Sequence, residues 1–532
     1  MKTCGRFFQK TVIMLIAAVL FSSSGFAAPK RGGDVTLLYW QLPAHFNSAI
    51  QSGAAIAAAA ANIFVSLIEL DGNWQPVPYL AKSWSVSDDN LTYTFNLVEG
   101  TSFTDGQPVT SKDVAFSINL MKEYHTFGPY MFGAVDRVET PDKNTVVIKL
   151  KQPHPALLVA LSAPFTPIMP EHIYGTGDIR KHPANINPIG SGPFKLVEFK
   201  PGKNFILERN DNFMRPGRPY IDRYIGSLVT NPKAAFMAMS SGEVHSFGFM
   251  AVPQMVAGFK ANKNLTVTSE GYDGIGAVNY LEFNLRKKYI SDKRVRQAIA
   301  YAIDRDFITQ KLHQGGSRPC TGPIHSSSKF YSDQVERYDL NLDKANALLD
   351  KAGYKRGADG MRFPLTLTYM PGDPINMKMV AEYLKPQLKK IGINITLKAP
   401  ADFMNWFMNI AKWEHDMTMI NLFGWGDPVI GVQRMFMSTN IKNLVWTNTS
   451  GYANPEVDQV LNDAAVEVDF NKRKALYATF QKIVADDLPL YFIQETIYHT
   501  VTHKDLLGQK SSVWGGVGPF DSVYWKDGHA PK

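Results

Sequence analysis

The chain has 532 residues, a formal net charge of +8, 45% hydrophobic residues and two cysteines. That length supports two or three packed domains. So mild a positive balance, with no clustered basic run, excludes a nucleic-acid footprint.

Lys2, Arg6 and Lys10 precede an apolar run, Thr11–Phe21, which is too short to span a bilayer. Gly25-Phe26-Ala27 then supplies small residues at the positions a signal peptidase reads, so cleavage is expected before Ala28. This predicts a soluble, exported mature chain of about 505 residues, carrying three fewer positive charges. Cys4 lies ahead of the apolar run and is not at a lipoprotein cleavage position. Cys320 would be the one cysteine left, which rules out an intramolecular disulfide in the mature chain. It is expected to be a buried or loop thiol, since no base partner marks it as catalytic.

Val35–Trp40 reads as a strand, and an alanine-rich helix follows around Ala54–Leu67. Leu91, Tyr93, Phe95 and Leu97 alternate with polar residues, the period-two mark of a half-buried strand. Thr110 and Asp113 form a variant capping box ahead of Val114, Ile118 and Met121 at helical spacing. Residues 144–150 are a strand within a proline-rich stretch. Phe194–Phe199 and Phe205–Arg209 flank a turn and predict a hairpin. Tyr280–Leu285 is a strand, and a helix starting near Ser291 or Asp292 buries Val295, Ala298, Ile299 and Ala302. Pro364–Met370, Ile375–Ile391 and Ile393–Leu397 form a βαβ unit, which predicts a parallel pair. Met417–Phe423 is an apolar strand running into Gly424-Trp425-Gly426-Asp427-Pro428. Helices at 455–466 and 471–485 precede a last apolar strand, Leu488–Ile493.

No HExxH, GxSxG or Walker A arrangement occurs. Gly190-Ser191-Gly192 and Gly274-Ile275-Gly276 lack the spacing of a nucleophile elbow or dinucleotide loop and read as turns. The twelve histidines show no metal-ligand spacing.

Several stretches carry a resemblance. Residues 81–122, Gly190-Ser191-Gly192-Pro193-Phe194 with Glu208-Arg209-Asn210, and Phe283-Asn284 with Val295-Arg296-Gln297-Ala298 occur in order. Ala302-Ile303-Asp304-Arg305, Cys320-Thr321-Gly322-Pro323 and Ala347–Tyr354 continue that order. Together they resemble the peptide/nickel class of bacterial extracytoplasmic solute-binding proteins, the capture subunits of ABC importers. The resemblance implies an α/β, two-lobed periplasmic-binding-protein fold, type II and cluster C-like, with an extra domain inserted in lobe one and a ligand cleft between the lobes. It places lobe one at 28–68, 186–280 and 492–532, the extra domain at 69–185 and lobe two at 281–491. The crossings, and so the hinge, would lie near Tyr280–Phe283 and Leu490–Ile493.

By the same resemblance the chain is a monomeric periplasmic protein. It delivers a short peptide to an inner-membrane ABC permease, with no cofactor, metal or catalysis. A non-peptide solute (oligosaccharide, glycoside, opine or metal chelate) and a secreted hydrolase are the alternatives. Aromatic walls and a few fixed polar anchors make such clefts. The candidates are Trp40, Tyr130, Trp406, Trp413 and Trp425, with Gly424 allowing close approach; Lys378, Lys412 and Arg434 are the nearest, weak candidates for a ligand carboxylate. Asp427 matches the acid that pairs with the ligand's α-amino group in peptide-binding relatives; its alternative role is to cap the turn before Pro428.

Overall fold

A computed structural model describes residues 29–229 and 231–531, so the expected signal sequence, 1–27, lies outside the described residues. Three sheets organise the chain. The first has seven strands in the order Leu265–Thr268, His499–His503, Ser246–Met250, Asp34–Tyr39, Arg223–Leu228, Asn204–Arg209, Phe194–Lys200. Asp34–Tyr39 is parallel to both neighbours, and the predicted hairpin supplies the antiparallel edge.

The second sheet is antiparallel, with four strands in the order Ala81–Val86, Thr92–Leu97, Thr145–Leu150, Val135–Asp142. The alternating residues Tyr93, Phe95, Leu97, Val146, Ile148 and Leu150 face one apolar core that also takes Val114, Ile118 and Met121 of the helix Ser111–Tyr124. The capping box forms as expected: Asp113 accepts from the Thr110 backbone N–H at 2.8 Å.

The third sheet has six strands in the order Ser317–Pro319, Leu490–Thr496, Ala277–Phe283, Met417–Phe423, Phe363–Tyr369, Ile393–Leu397. The predicted βαβ pair is parallel, Phe363 opposite Ile393. Leu281, Phe283, Leu365, Leu367, Met417 and Met419 face one core with the helices Lys293–Tyr301 and Val380–Lys390. Val278, Tyr280, Ile420 and Leu422 face the opposite core, with the helices Phe403–Ala411, Pro455–Val466 and Phe470–Asp487. Helices on both faces explain why these strands are apolar almost throughout rather than alternating.

The chain leaves the first sheet after Thr268 and enters the third at Ala277; it returns between Thr496 and His499. Tyr280–Phe283 and Leu490–Ile493 therefore lie inside paired strands, which hold a fixed ladder, and the crossings sit at 269–276 and 497–498. Cys320 is fully buried and its thiol donates to the Gly322 carbonyl at 3.1 Å; burial raises its pKa, which keeps it unreactive.

Candidate functional site

The third sheet meets the inserted domain at the end of Met417–Phe423. Gly424 stops the strand and donates its N–H to the Ile275 carbonyl at 2.7 Å. Trp425 and Gly426 follow at φ 47° and 78°, two successive left-handed residues. That conformation strains a tryptophan. Here it drives the indole into the contact between sheets, 5% exposed, with ring centroids 5.5 Å from Phe165 and 6.3 Å from Phe127. A Cβ on Gly426 would lie 3.0 Å from Val159 and 3.1 Å from Trp514, so glycine fits both the φ and the space.

Asp427 begins the short helix Pro428–Gly431 and accepts from the Val429 N–H at 3.0 Å. Its two carboxylate oxygens also accept from Arg473 Nη2 and Nη1 at 2.8 and 2.9 Å, a bidentate pair buried on both sides. Burial alone would raise the Asp427 pKa, but Arg473, the Val429 N–H and Lys329 together hold the carboxyl below its usual range. Arg473 lies 46 residues away on Phe470–Asp487, with its guanidinium 4.8 Å above the Phe330 ring. This corrects the expectation for Asp427: its charge is spent inside lobe two, and the capping role is the one the geometry realises.

The turn through Pro428–Gly431 delivers Arg434 to the same contact, 2% exposed. Its guanidinium carbon sits 4.5 Å over the Phe127 ring of the inserted domain. One Nη donates to the Trp446 carbonyl, Nε has no partner, and no carboxylate lies within ion-pair distance among the described residues. Burial draws its pKa down to about 10, opposed by Tyr280 and Tyr130. The Tyr280 hydroxyl is itself buried without a partner. Tyr130, on the helix Gly128–Phe132, is pushed up to about 12 by burial, with Arg434 opposing.

Three candidates lie elsewhere. Trp406 is 1% exposed and donates its indole N–H to Thr418 Oγ1 at 3.0 Å, within the core of the third sheet. Its helix, Phe403–Ala411, went unread; that helix turns Trp406 and Ile410 inward, sets Phe407 partly against the same core and leaves Phe403, Met404 and Met408 exposed. Trp413 sits beyond the start of Met417–Phe423, the opposite end from Gly424; its carbonyl accepts from Asn284 and Arg286 stacks on its ring at 3.8 Å. Neither can wall the site. Trp40 is half-exposed on the first sheet, donating to the Phe249 carbonyl at 3.1 Å and packed on Phe247. The structure thus brings together Gly424, Trp425, Arg434 and Tyr130. Arg473 was missed; its spacing with Tyr477 and Gln481, four residues apart on one buried helix face, was the available signal.

Beside the turn, a small recess is lined by Asp273, His325, Ser328, Gly424 and Gly426, among others. Asp273 is exposed there, with no ion pair among the described residues. Among the described residues no three His, Cys, Asp or Glu side chains group to hold a metal, and no helix is long and apolar enough to cross a membrane.

Comparison with known proteins agrees with this architecture. Residues 75–443 match the family model described as "Bacterial extracellular solute-binding proteins, family 5 Middle". The chain is 28% identical to the oligopeptide-binding protein AppA of Bacillus subtilis, covering 94% of this chain and 95% of that one. It is 30% identical to a putative ABC transporter peptide-binding protein of Brucella ovis over 77% of each. Among solved structures, NikZ from Campylobacter jejuni in complex with Ni(L-His) superposes with a TM-score of 0.81 at 26% identity, covering 91% of this chain and 97% of that one. AppA from Bacillus subtilis in complex with a nonapeptide gives 0.80 at 25% identity, covering 93% and 99%. Both share the two-lobed periplasmic-binding-protein fold.

Proposed function

The chain belongs to the bacterial extracellular solute-binding proteins of family 5, and from that premise we propose that it captures a short peptide between its lobes in the periplasm. It passes the peptide, unchanged, to an inner-membrane ABC permease, acting as a monomer. In this reading lobe one is made of residues 29–68, 186–276 and 497–531, the inserted domain is 69–185 and lobe two is 277–496, with the chain passing between the first and third sheets at 269–276 and 497–498.

The observation that carries this reading is Arg434, a buried guanidinium at the contact between inserted domain and lobe two with no carboxylate beside it among the described residues. A buried cation without an anion is unfavourable unless a partner arrives. A ligand carboxylate is such a partner, planar and suited to two parallel N–H donors. Trp425 and Tyr130 supply the flat walls, and Gly424 lets backbone approach. Because the ring of Phe127 lies over Arg434 across the interface, ligand capture and lobe closure are one event.

Two measurements test the reading. Mass spectrometry of the protein purified natively from periplasm should find a bound peptide or other carboxylate of unaltered mass. Small-angle scattering before and after removing that solute should show a larger radius in the stripped protein. A co-purified sugar lacking any acid, or a radius indifferent to ligand, would contradict it.

A further inference from the structure

The outward face of the helix Phe403–Ala411 is apolar where a surface helix ordinarily carries polar groups: Phe403 is 40% exposed, Met404 59% and Met408 43%, with Phe407 half-buried between them. The loop residue Trp446 stacks on Phe403, centroids 6.2 Å apart and planes at 24°. Trp446 is held by its indole N–H, which donates to the Asn421 carbonyl at 3.1 Å, two residues before the strand ends. The carbonyl of this same Trp446 is the acceptor for Arg434. The exposed apolar face and the guanidinium that has no carboxylate among the described residues are therefore linked through one residue, Trp446.

We infer that Phe403, Phe407 and Trp446 form an apolar subsite for the side chain of the ligand residue that bears the carboxylate. The inference rests on the reading of Arg434 as the carboxylate partner and narrows the ligand class to acids with a bulky apolar or aromatic group at the acidic end. A group of that kind covers surface that is otherwise left to water, while its carboxylate reaches Arg434 across the Trp446 carbonyl. Phenylalanine suits the stacked Phe403–Trp446 pair because an added ring extends an offset stack. Asp427 does not enter, since Arg473 occupies it.

The test is calorimetry with three probes: Ala-Ala-Phe, Ala-Ala-Ala and Ala-Ala-Phe amide. Wild type should bind Ala-Ala-Phe about tenfold more tightly than Ala-Ala-Ala, the scale of half-burying an aromatic side chain. Phe403→Ser, at an exposed position, should bring that ratio near one. Equal wild-type affinities for the two acids overturn the subsite and leave the carboxylate reading standing, provided the amide binds more weakly than its acid. Equal binding of acid and amide removes Arg434 as the partner, and the subsite with it. A ratio that survives Phe403→Ser also overturns the inference.

Discussion

Two buried arginines border the stretch Gly424–Arg434, one within it and one reaching it from the helix Phe470–Asp487, and their surroundings differ. Arg473 is locked bidentately to Asp427, stacked over Phe330 and supplied with a further acceptor, the Ala464 carbonyl at 2.8 Å. Arg434, seven residues after Asp427, has one carbonyl acceptor, an aromatic roof from another domain and an orphan Nε. The first is complete without a ligand and the second is not. A buried charge supports structure when its partner is built in, and supports binding when its partner must come from outside.

The largest effect expected from this contrast is on stability at the complete site. Arg473→Met leaves the Asp427 carboxylate buried and unpaired and should cost about 3–5 kcal/mol, read as a shift in the denaturation midpoint. A change under about 1 kcal/mol would mean the pair is not desolvated as the geometry requires.

Acid should disturb the roof of the incomplete site next. His125 lies beneath Phe127, its Nδ1 accepting from the Phe127 N–H at 3.1 Å, and burial lowers its pKa from 6.5 to about 4. The folded state therefore holds the neutral ring while the unfolded state takes up a proton. Its contribution is full above pH 6.5, declines as pH falls toward 4 and amounts to roughly 3 kcal/mol in all. Thermal melts across that window should fall in wild type and fall less in His125→Asn. A flat wild-type profile would contradict the buried neutral histidine.

The smallest stability effect should come from Arg434→Met, which removes an unpaired cation and fills similar space: a change within about 1 kcal/mol, of either sign. A loss as large as that of Arg473→Met would show that Arg434 is structural, and the contrast would collapse.

Much of the fold was legible because its signals are local. Tyr93, Phe95 and Leu97 alternate, Thr110 and Asp113 cap, and Leu365 and Leu367 share one face of a strand whose helix and parallel partner follow directly. Arg223–Leu228 gave no such signal: its Gly226 sits where a Cβ would strike the Phe205 ring, a requirement imposed by a strand of another segment. The site divided in the same way. Trp425 stood out through its glycines. The identity of Asp427's partner depended on a helix 46 residues on, so the acid read as free when it was not. Arg434 is distinguished by having no carboxylate beside it among the described residues, and a neighbour that is not there has no sequence signature.

The central claim is that Arg434 receives a ligand carboxylate. Calorimetry of Ala-Ala-Ala and its C-terminal amide, on wild type and on Arg434→Met, addresses it directly. Wild type should prefer the acid by tens-fold, the scale of a buried charge-assisted contact of about 2 kcal/mol or more, and Arg434→Met should bind acid and amide alike. An acid preference that persists undiminished in Arg434→Met would contradict the account.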